Sequence, residues 1–379
     1  MTDRVLGQTA SPSDVANETV VAVAAAGFDG PLHLPTAPLD TVDFDALVGL
    51  AERHRVLGAL AAVVGTGSMP VTDEQYELLA ARQGRWLVHV LEVEQLLVRT
   101  DAVLADHGIT YRVVKGSALC HLVYDDPGHR VYADLDIMVP SNQFDAARDS
   151  LVGHFGATTS VAELRPGFDR EFGKEVLIRV GKLELDLHRT FVTGPFGLTV
   201  ELDELYADRT TFEVGGRDYP ALGPSALFMH ACYNAALGDL PLRLSSLRDL
   251  ATIDARSMTD FDTVVATAQR WKAHAVVQRA ATLTCDVFDL DRSGMLGRLA
   301  ALPVPRFQRW LLRSYLTPAR SYSRPLASLA VVAGAGARVR YARALLSPSK
   351  EYLDSRGWTS GRHWRRAIRR LVPSRRGRG

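Results

Sequence analysis

The segment "HRVYADLDIMVP", residues 129–140, places two carboxylates inside an apolar run. Side chains alternate faces along a strand. Asp134 and Asp136 therefore share one side, and Leu135, Ile137 and Val139 share the other. Carboxylates this close repel, and one is driven toward protonation unless a cation lies between them. A divalent metal resolves the repulsion, and an all-oxygen site suits Mg²⁺. A half-exposed strand with an acidic outer face has the same alternation, so the pair alone does not decide between the two.

Two further stretches bear on that choice. In "KLELDLHRT" (182–190), Leu183, Leu185 and Leu187 share one face, and Glu184, Asp186 and His188 share the other. Laid beside the first strand, this one brings three carboxylates together. In "VVKGSAL" (113–119), a strand ends at Lys115, Gly116 lets the backbone turn, and Ser117 is placed to cap the next helix. A helix start presents free N–H groups and a positive dipole end, which favour phosphate. A solvated strand face and an ordinary strand-to-helix turn are the plain readings of these stretches.

The surrounding pattern supplies the elements that position them. Apolar spacing is helical from Asp43 to about Val64. A longer helix begins at "TDEQ", where Thr72 and Gln75 form a capping-box pattern, and runs to about His107, with Gly108 as its stop. The period then changes. Residues 109–117 read as a strand, "ALCHLVY" as a short helix, "YADLDIMVP" as a strand, "QFDAARDSLVGHF" as a helix, and 175–191 as two strands joined at Gly181. After Pro220 the spacing is helical again. The expectation is an α+β fold with a small mixed-sheet core between helical flanks. The divisions are a loosely ordered 1–40, a helical 41–108, an α/β core 109–220, a helical 221–354 and a basic tail 355–379.

The order of parts carries more than any one of them. Gly-Ser at a helix start is followed by D-x-D on the next strand and a further acid on a later strand. This order resembles the polymerase-β-like nucleotidyltransferase superfamily, and within it a bacterial family of uncharacterised nucleotidyltransferases. The matching stretches are "VKGSALCHLVY", "RVYADLDIMV" and "LELDLHRTF", with flanking likeness in "AERHRVLGAL", "SSLRDLATI" and "SPSKEYLDSRG". The likeness spans roughly residues 45–360. One departure is a longer gap from Gly-Ser to Asp134 than in the superfamily's best-known members.

The resemblance implies a nucleotidyltransferase core that moves a nucleoside monophosphate from an NTP to an acceptor, with release of pyrophosphate. It implies two Mg²⁺ ions, or Mn²⁺, held by Asp134 and Asp136, with Asp186 on the ion that activates the acceptor hydroxyl. Glu184 competes for that third place, and the resemblance favours Asp186. Gly116 and Ser117 are implied near the β- and γ-phosphates, with Lys115 and Arg130 offsetting phosphate charge. The acceptor stays open among small molecules, sugars, peptides, proteins and RNA ends. A non-catalytic nucleotide sensor or scaffold with the same fold is the alternative.

Other motifs read as structural. "DVFDLD" (286–291) has no phosphate turn before it. A haloacid-dehalogenase reading of Asp134 and Asp136 lacks the Thr or Val expected at Met138. His188 reads as a substrate contact or a packed strand residue, the latter favoured slightly, His54 as packing, His230 with Asn234 as a helix-face pair, and Arg248 with Asp249 as a helix tie.

The chain has 379 residues, 47% hydrophobic and 23% charged, which is ordinary for a globular protein. The longest apolar candidate, 326–337, is too short to span a bilayer, and the start does not read as a signal peptide. Cys120, Cys232 and Cys285 have no metal spacing and suit a reduced, cytoplasmic protein. The net charge of +1 hides an asymmetry: residues 355–379 hold nine arginines and no acid, leaving −8 elsewhere. In "RHWRRAIRRLV" the arginines fall on one helical stripe and Trp364, Ile368 and Leu371 on another. Such a helix suits an anionic membrane surface, peripheral at the inner face, or a polyanion; it suits equally a dock on the acidic body of the protein.

Overall fold

Among the described residues, seven strands form one mixed sheet in the order β3-β4-β5-β2-β1-β7-β6. They are β1 (Arg112–Val114), β2 (Leu135–Met138), β3 (Thr158–Thr159), β4 (Glu175–Val180), β5 (Leu183–His188), β6 (Arg209–Val214) and β7 (Arg217–Leu222). The computed structural model describes residues 13–30, 32–159, 161–238, 241–317 and 323–358. The stretch 362–372, read above as a basic amphipathic helix, lies outside them with the rest of the tail beyond 358. The central strand β2 runs antiparallel to β1 and parallel to β5. β4 and β5 form a hairpin turning through Gly181, whose φ of 62° suits a residue without Cβ.

Helices precede the sheet as α1 (Asp14–Ala25), α2 (Thr41–Arg53), α3 (Leu57–Gly65) and α4 (Asp73–Asp106). Within it lie α5 (Gly116–Val123), α6 (Phe144–Phe155), α7 (Phe168–Phe172) and α8 (Glu204–Ala207). After it come α9 (Pro224–Tyr233), α10 (Leu244–Ala255), α11 (Phe261–Arg270) and α12 (His274–Phe288). The last are α13 (Met295–Ala300), α14 (Arg306–Leu316), α15 (Ser323–Val331), α16 (Ala335–Leu346) and α17 (Lys350–Ser355). The capping box at the start of α4 forms as its sequence predicts: Gln75 N–H donates to Thr72 Oγ1 at 3.3 Å, and Thr72 N–H to Gln75 Oε1 at 3.1 Å.

Strand alternation divides the sheet's faces chemically. Val113, Leu135, Ile137, Leu185 and Leu187 pack in one cluster with Val93, Leu96 and Leu97 of α4 and Phe144, Ala147 and Leu151 of α6. The opposite side chains include Val114 and Met138, which join a second cluster built from α1–α3 and α9–α14. Asp136 and His188 alternate with the apolar residues of the first cluster and are only 3% and 1% exposed. A half-exposed acidic strand is therefore excluded for Asp136.

One expectation is corrected. Residues 1–40 read as loosely ordered, yet α1 forms within them. Ser13 caps it, and Ala16, Val20, Val23 and Ala24 make a buried stripe at helical spacing. Arg248 of α10 donates to the carbonyls of Ala24 and Ala26 at 2.7 and 2.8 Å and holds the end of that helix. The helical spacing expected from Asp43 to Val64 forms as two helices, α2 and α3, parted at Arg55, whose φ is 55°.

Candidate active site

Parallel pairing of β2 with β5 sets Asp136 directly beside Asp186. The antiparallel β4 brings Glu175 opposite His188. Asp136, Asp186 and His188 each offer a ligand atom, and those atoms lie within 4.8 Å of one another. Asp134 precedes β2, and its Oδ1 lies 3.4 Å from Nη1 of Arg55. It lines the same cleft as Asp136 but stands outside that tight group.

The cleft has a volume of about 130 Å³. Asp134 and Asp136 line it with Lys115, Gly116, Arg55 and Lys174. Asn234, Gly238, Arg243, Ser245 and Ser246 close the other side. Asn234–Gly238 is a π-helical turn that continues α9. Such turns interrupt the regular ladder and are frequent at functional sites.

Charge is distributed unevenly among these groups. Burial disfavours the Asp136 carboxylate, but Lys115 and His188 outweigh burial and hold its pKa well below the usual carboxylate range. Lys115 Nζ lies 2.5 Å from Asp136 Oδ1, and His188 Nε2 lies 2.7 Å from the same oxygen. Burial likewise works against the Lys115 ammonium; Asp136 and Glu175 more than restore it, and its pKa is raised. Asp186 is helped less, by Lys115 acting through space. Burial, then Glu175 and Asp136, push its carboxyl up to about 7. Burial and Lys115 lower the pKa of His188. One carboxylate is thus held ionised while its neighbour resists ionisation, the condition a divalent cation relieves. Two carboxylates and an imidazole are a donor set that fits such an ion.

The residues expected at the phosphates divide. Lys115 and Gly116 line the cleft, and Lys115 takes φ 54° and ψ −128° at the start of α5. Non-glycine residues in such conformations cluster at functional sites. Gly116 has a packing reason for its identity: a Cβ there would lie 2.6 Å from the Tyr132 ring. Ser117 is 2% exposed and does not line the cleft. Arg130 borders the cleft, yet its guanidinium is engaged within the protein. Nε and Nη2 donate to the two oxygens of Asp249 at 2.8 and 2.9 Å, and Nη1 donates to the carbonyl of Val131. Tyr124 Oη donates to the same Asp249 at 2.7 Å. Arg130 thus ties the segment before β2 to α10. Glu184 is exposed and pairs with Arg179 at 3.4 Å; Asp186 is the acid beside Asp136.

Sequence reasoning missed several members. His188 is packed on its strand and also contacts Asp136, a partner that was not expected. His54 read as packing; its Nδ1 accepts from Leu244 N–H at 3.3 Å, and its carbonyl accepts from Ser245 N–H at 3.2 Å. It therefore fastens the start of α10 to the end of α2. The signal for His188 was present, since it shares a strand face with Asp186. Lys174, Arg243 and the serines of α10 carried no local signal.

Comparison with solved structures finds low-identity likenesses. A solution structure of the antibiotic-resistance factor ANT(2'')-Ia shares 14% identity with TM-score 0.35, covering 49% of this chain and 94% of that one. A crystal structure of ANT(2")-Ia with adenylyl-2"-tobramycin shares 12% identity with TM-score 0.33, covering 48% and 97%. An antigenic nucleotidyltransferase-like protein from Paracoccidioides brasiliensis shares 15% identity with TM-score 0.31, covering 51% and 90%. No curated protein matches the chain. The profile of one enzyme family matches residues 40–289, which takes in α2–α12, the whole sheet and every cleft residue named above. The chain belongs to that family, the uncharacterised nucleotidyltransferases, whose general chemistry is the transfer of a nucleoside monophosphate.

Proposed function

We propose that this cleft joins a nucleoside monophosphate from an NTP to a hydroxyl-bearing acceptor and releases pyrophosphate, with a divalent cation, Mg²⁺ foremost, as cofactor. The observation that carries the reading is the in-register pairing of Asp136 with Asp186 on neighbouring parallel strands beside a half-buried lysine. In the reaction the acceptor oxygen bonds to the α-phosphorus, the bond from that phosphorus to the bridging oxygen of the β-phosphate breaks, and the hydroxyl proton departs.

Asp136, Asp186 and Asp134 are the residues to hold the cation, with His188 fixing the Asp136 carboxylate through Nε2. When bound, the cation neutralises phosphate charge and lowers the barrier to attack. The remaining work falls to the chain. Lys115, Lys174 and Arg243 supply positive charge for the triphosphate in the walls of the cleft. The start of α5 at Gly116 offers backbone N–H groups to phosphate oxygens. The carboxylate of Asp186 receives the acceptor's proton.

The test is thermal unfolding of the purified protein with each of the four NTPs, with and without Mg²⁺, beside Asp136→Asn. A ligand at one hundred times its Kd adds about 2.7 kcal/mol of stability. A Mg²⁺-dependent shift with one NTP, absent in the variant, is the expected result and names the donor. Equal shifts in the variant would refute the site.

A further inference from the structure

From Arg292 to Lys350 the sequence holds ten arginines and one lysine and no aspartate or glutamate. Most of the described arginines in this stretch are engaged. Arg292 pairs with Asp286 and Arg340 with Glu171. Arg298 lies over the Phe261 ring, and Arg324 and Arg338 donate to the carbonyls of Tyr315 and Val332. Arg306, Arg309 and Arg313 of α14 differ. All three are exposed, and none has an acidic partner among the described residues.

The same helix exposes two large aromatic side chains. Phe307 is 45% and Trp310 43% exposed, and their rings lie 5.6 Å apart. The orientation is fixed from behind. Gln308, Leu311, Ser314 and Tyr315 are buried, Gln308 Oε1 accepts from Ala275 N–H at 3.1 Å, and Tyr315 Oη donates to the carbonyl of Leu237 at 3.1 Å. Helix α14 therefore holds an aromatic pair between unpaired cations toward solvent. Neighbouring α15, which packs on α14, adds Leu326 at 57% exposure.

We infer that α14 is a docking face for an anionic phospholipid surface, with Phe307 and Trp310 entering the headgroup boundary and Arg306, Arg309 and Arg313 meeting the phosphates. Charge complementarity requires an anionic partner, since the helix has three arginines and no acid. The aromatic pair requires that partner to offer an apolar layer just beneath its charge. A single-stranded nucleic acid also presents phosphates and stacks on aromatic rings, but it has no use for the exposed aliphatic Leu326. No helix of the described residues is long and apolar enough to cross a membrane, so the contact is made at the surface.

The test is co-sedimentation of the full chain with phosphatidylcholine vesicles, with and without phosphatidylglycerol, at low and raised salt. The wild type is expected to bind only the phosphatidylglycerol vesicles and to release at raised salt. Phe307→Ser with Trp310→Ser is expected to weaken binding about tenfold, and the triple change of Arg306, Arg309 and Arg313 to Gln by at least as much. These side chains are exposed, and unchanged melting temperatures check that both variants fold. The aromatic variant leaves the basic tail unchanged, so its loss of binding assigns the contact to α14. Three results overturn the inference. One is equal binding by wild type and aromatic variant. Another is no binding to phosphatidylglycerol vesicles. The third is polyuridylate binding that the aromatic variant loses while its vesicle binding persists.

Discussion

Lys115 Nζ and His188 Nε2 converge on one oxygen, Oδ1 of Asp136, at 2.5 and 2.7 Å. The ammonium is the nearest full positive charge to the most buried carboxylate of the cleft. It also acts on Glu175, Asp186 and Asp134 through space. Lys115 thus offsets the repulsion within the acidic cluster, at the cost of a left-handed backbone conformation at the junction of β1 and α5.

Replacing Lys115 with Met strips Asp136 of this partner while keeping most of the side-chain volume. Breaking a buried pair from one side costs about 3–5 kcal/mol. The urea midpoint of Lys115→Met is expected to fall accordingly, and millimolar Mg²⁺ is expected to restore more stability to the variant than to the wild type. A variant as stable as wild type in the absence of metal would show that Asp136 does not depend on this ammonium.

Arg130 yields a prediction that separates support from catalysis. Its guanidinium is 119 residues from Asp249 in sequence, and both side chains are buried. Arg130→Met is expected to lower stability by about 3–5 kcal/mol. Asp249→Leu combined with it is expected to recover part of the loss, since no charge is then left unpaired. At a temperature where both variants are folded, the KM for NTP is expected to change little. A large rise in KM with little loss of stability would return Arg130 to the phosphates.

What the sequence made legible, and what it did not, follows the range of the interactions. The alternation in "ADLDIMV" and "LELDLHR", the capping box at Thr72 and the turn at Gly181 are local patterns, and all appear in the fold. The pairing of Asp136 with Asp186 joins two such patterns through a simple parallel register. The roles of Arg130 and His54 rest on partners 119 and 190 residues away, which no local period encodes. Ser117 follows the same rule: its type fits a cap, but packing around Tyr132 buries it away from the cleft. Helix α1 was hidden by the Pro and Gly residues around it, because only its own stripe of Ala and Val carried the signal.

A pH dependence is expected from Asp254 of α10, which lies far from the acidic cluster in the fold's helical part and lines a second cleft with Asp29 and Asp291. Burial pushes its carboxyl up to about 6. The folded protein therefore favours the protonated acid more than the unfolded chain does. This contribution is fully present below the unfolded value near pH 4 and is lost as pH rises through about 6. Asp254→Asn removes the cost of the buried charge. After allowance for its partial exposure, the variant is expected to gain about 1 kcal/mol over wild type at pH 7.5 and nothing at pH 4. Melting temperatures at the two pH values check the sign. A gain of the same size at both would assign the effect to something other than ionisation.

Gly116 separates two explanations of one residue. A glycine at the start of a phosphate-facing helix permits close approach of a ligand, whereas here the nearest obstacle to a Cβ is the Tyr132 ring at 2.6 Å. Gly116→Ala forces that ring to move, and overpacking of this kind costs about 1–3 kcal/mol. Tyr132→Leu in the same chain makes room for the methyl group, although it gives up the hydrogen bond from Tyr132 Oη to Glu94 at 3.1 Å. The double variant is expected to be more stable than the sum of the two single losses, read as a coupling in a double-mutant cycle. Mg²⁺–NTP binding, measured on the same proteins by the shift in melting temperature, then divides the roles. If binding returns with stability, glycine serves the packing of Tyr132. If the double variant is stable and still fails to bind, the hydrogen at position 116 serves the phosphates as well.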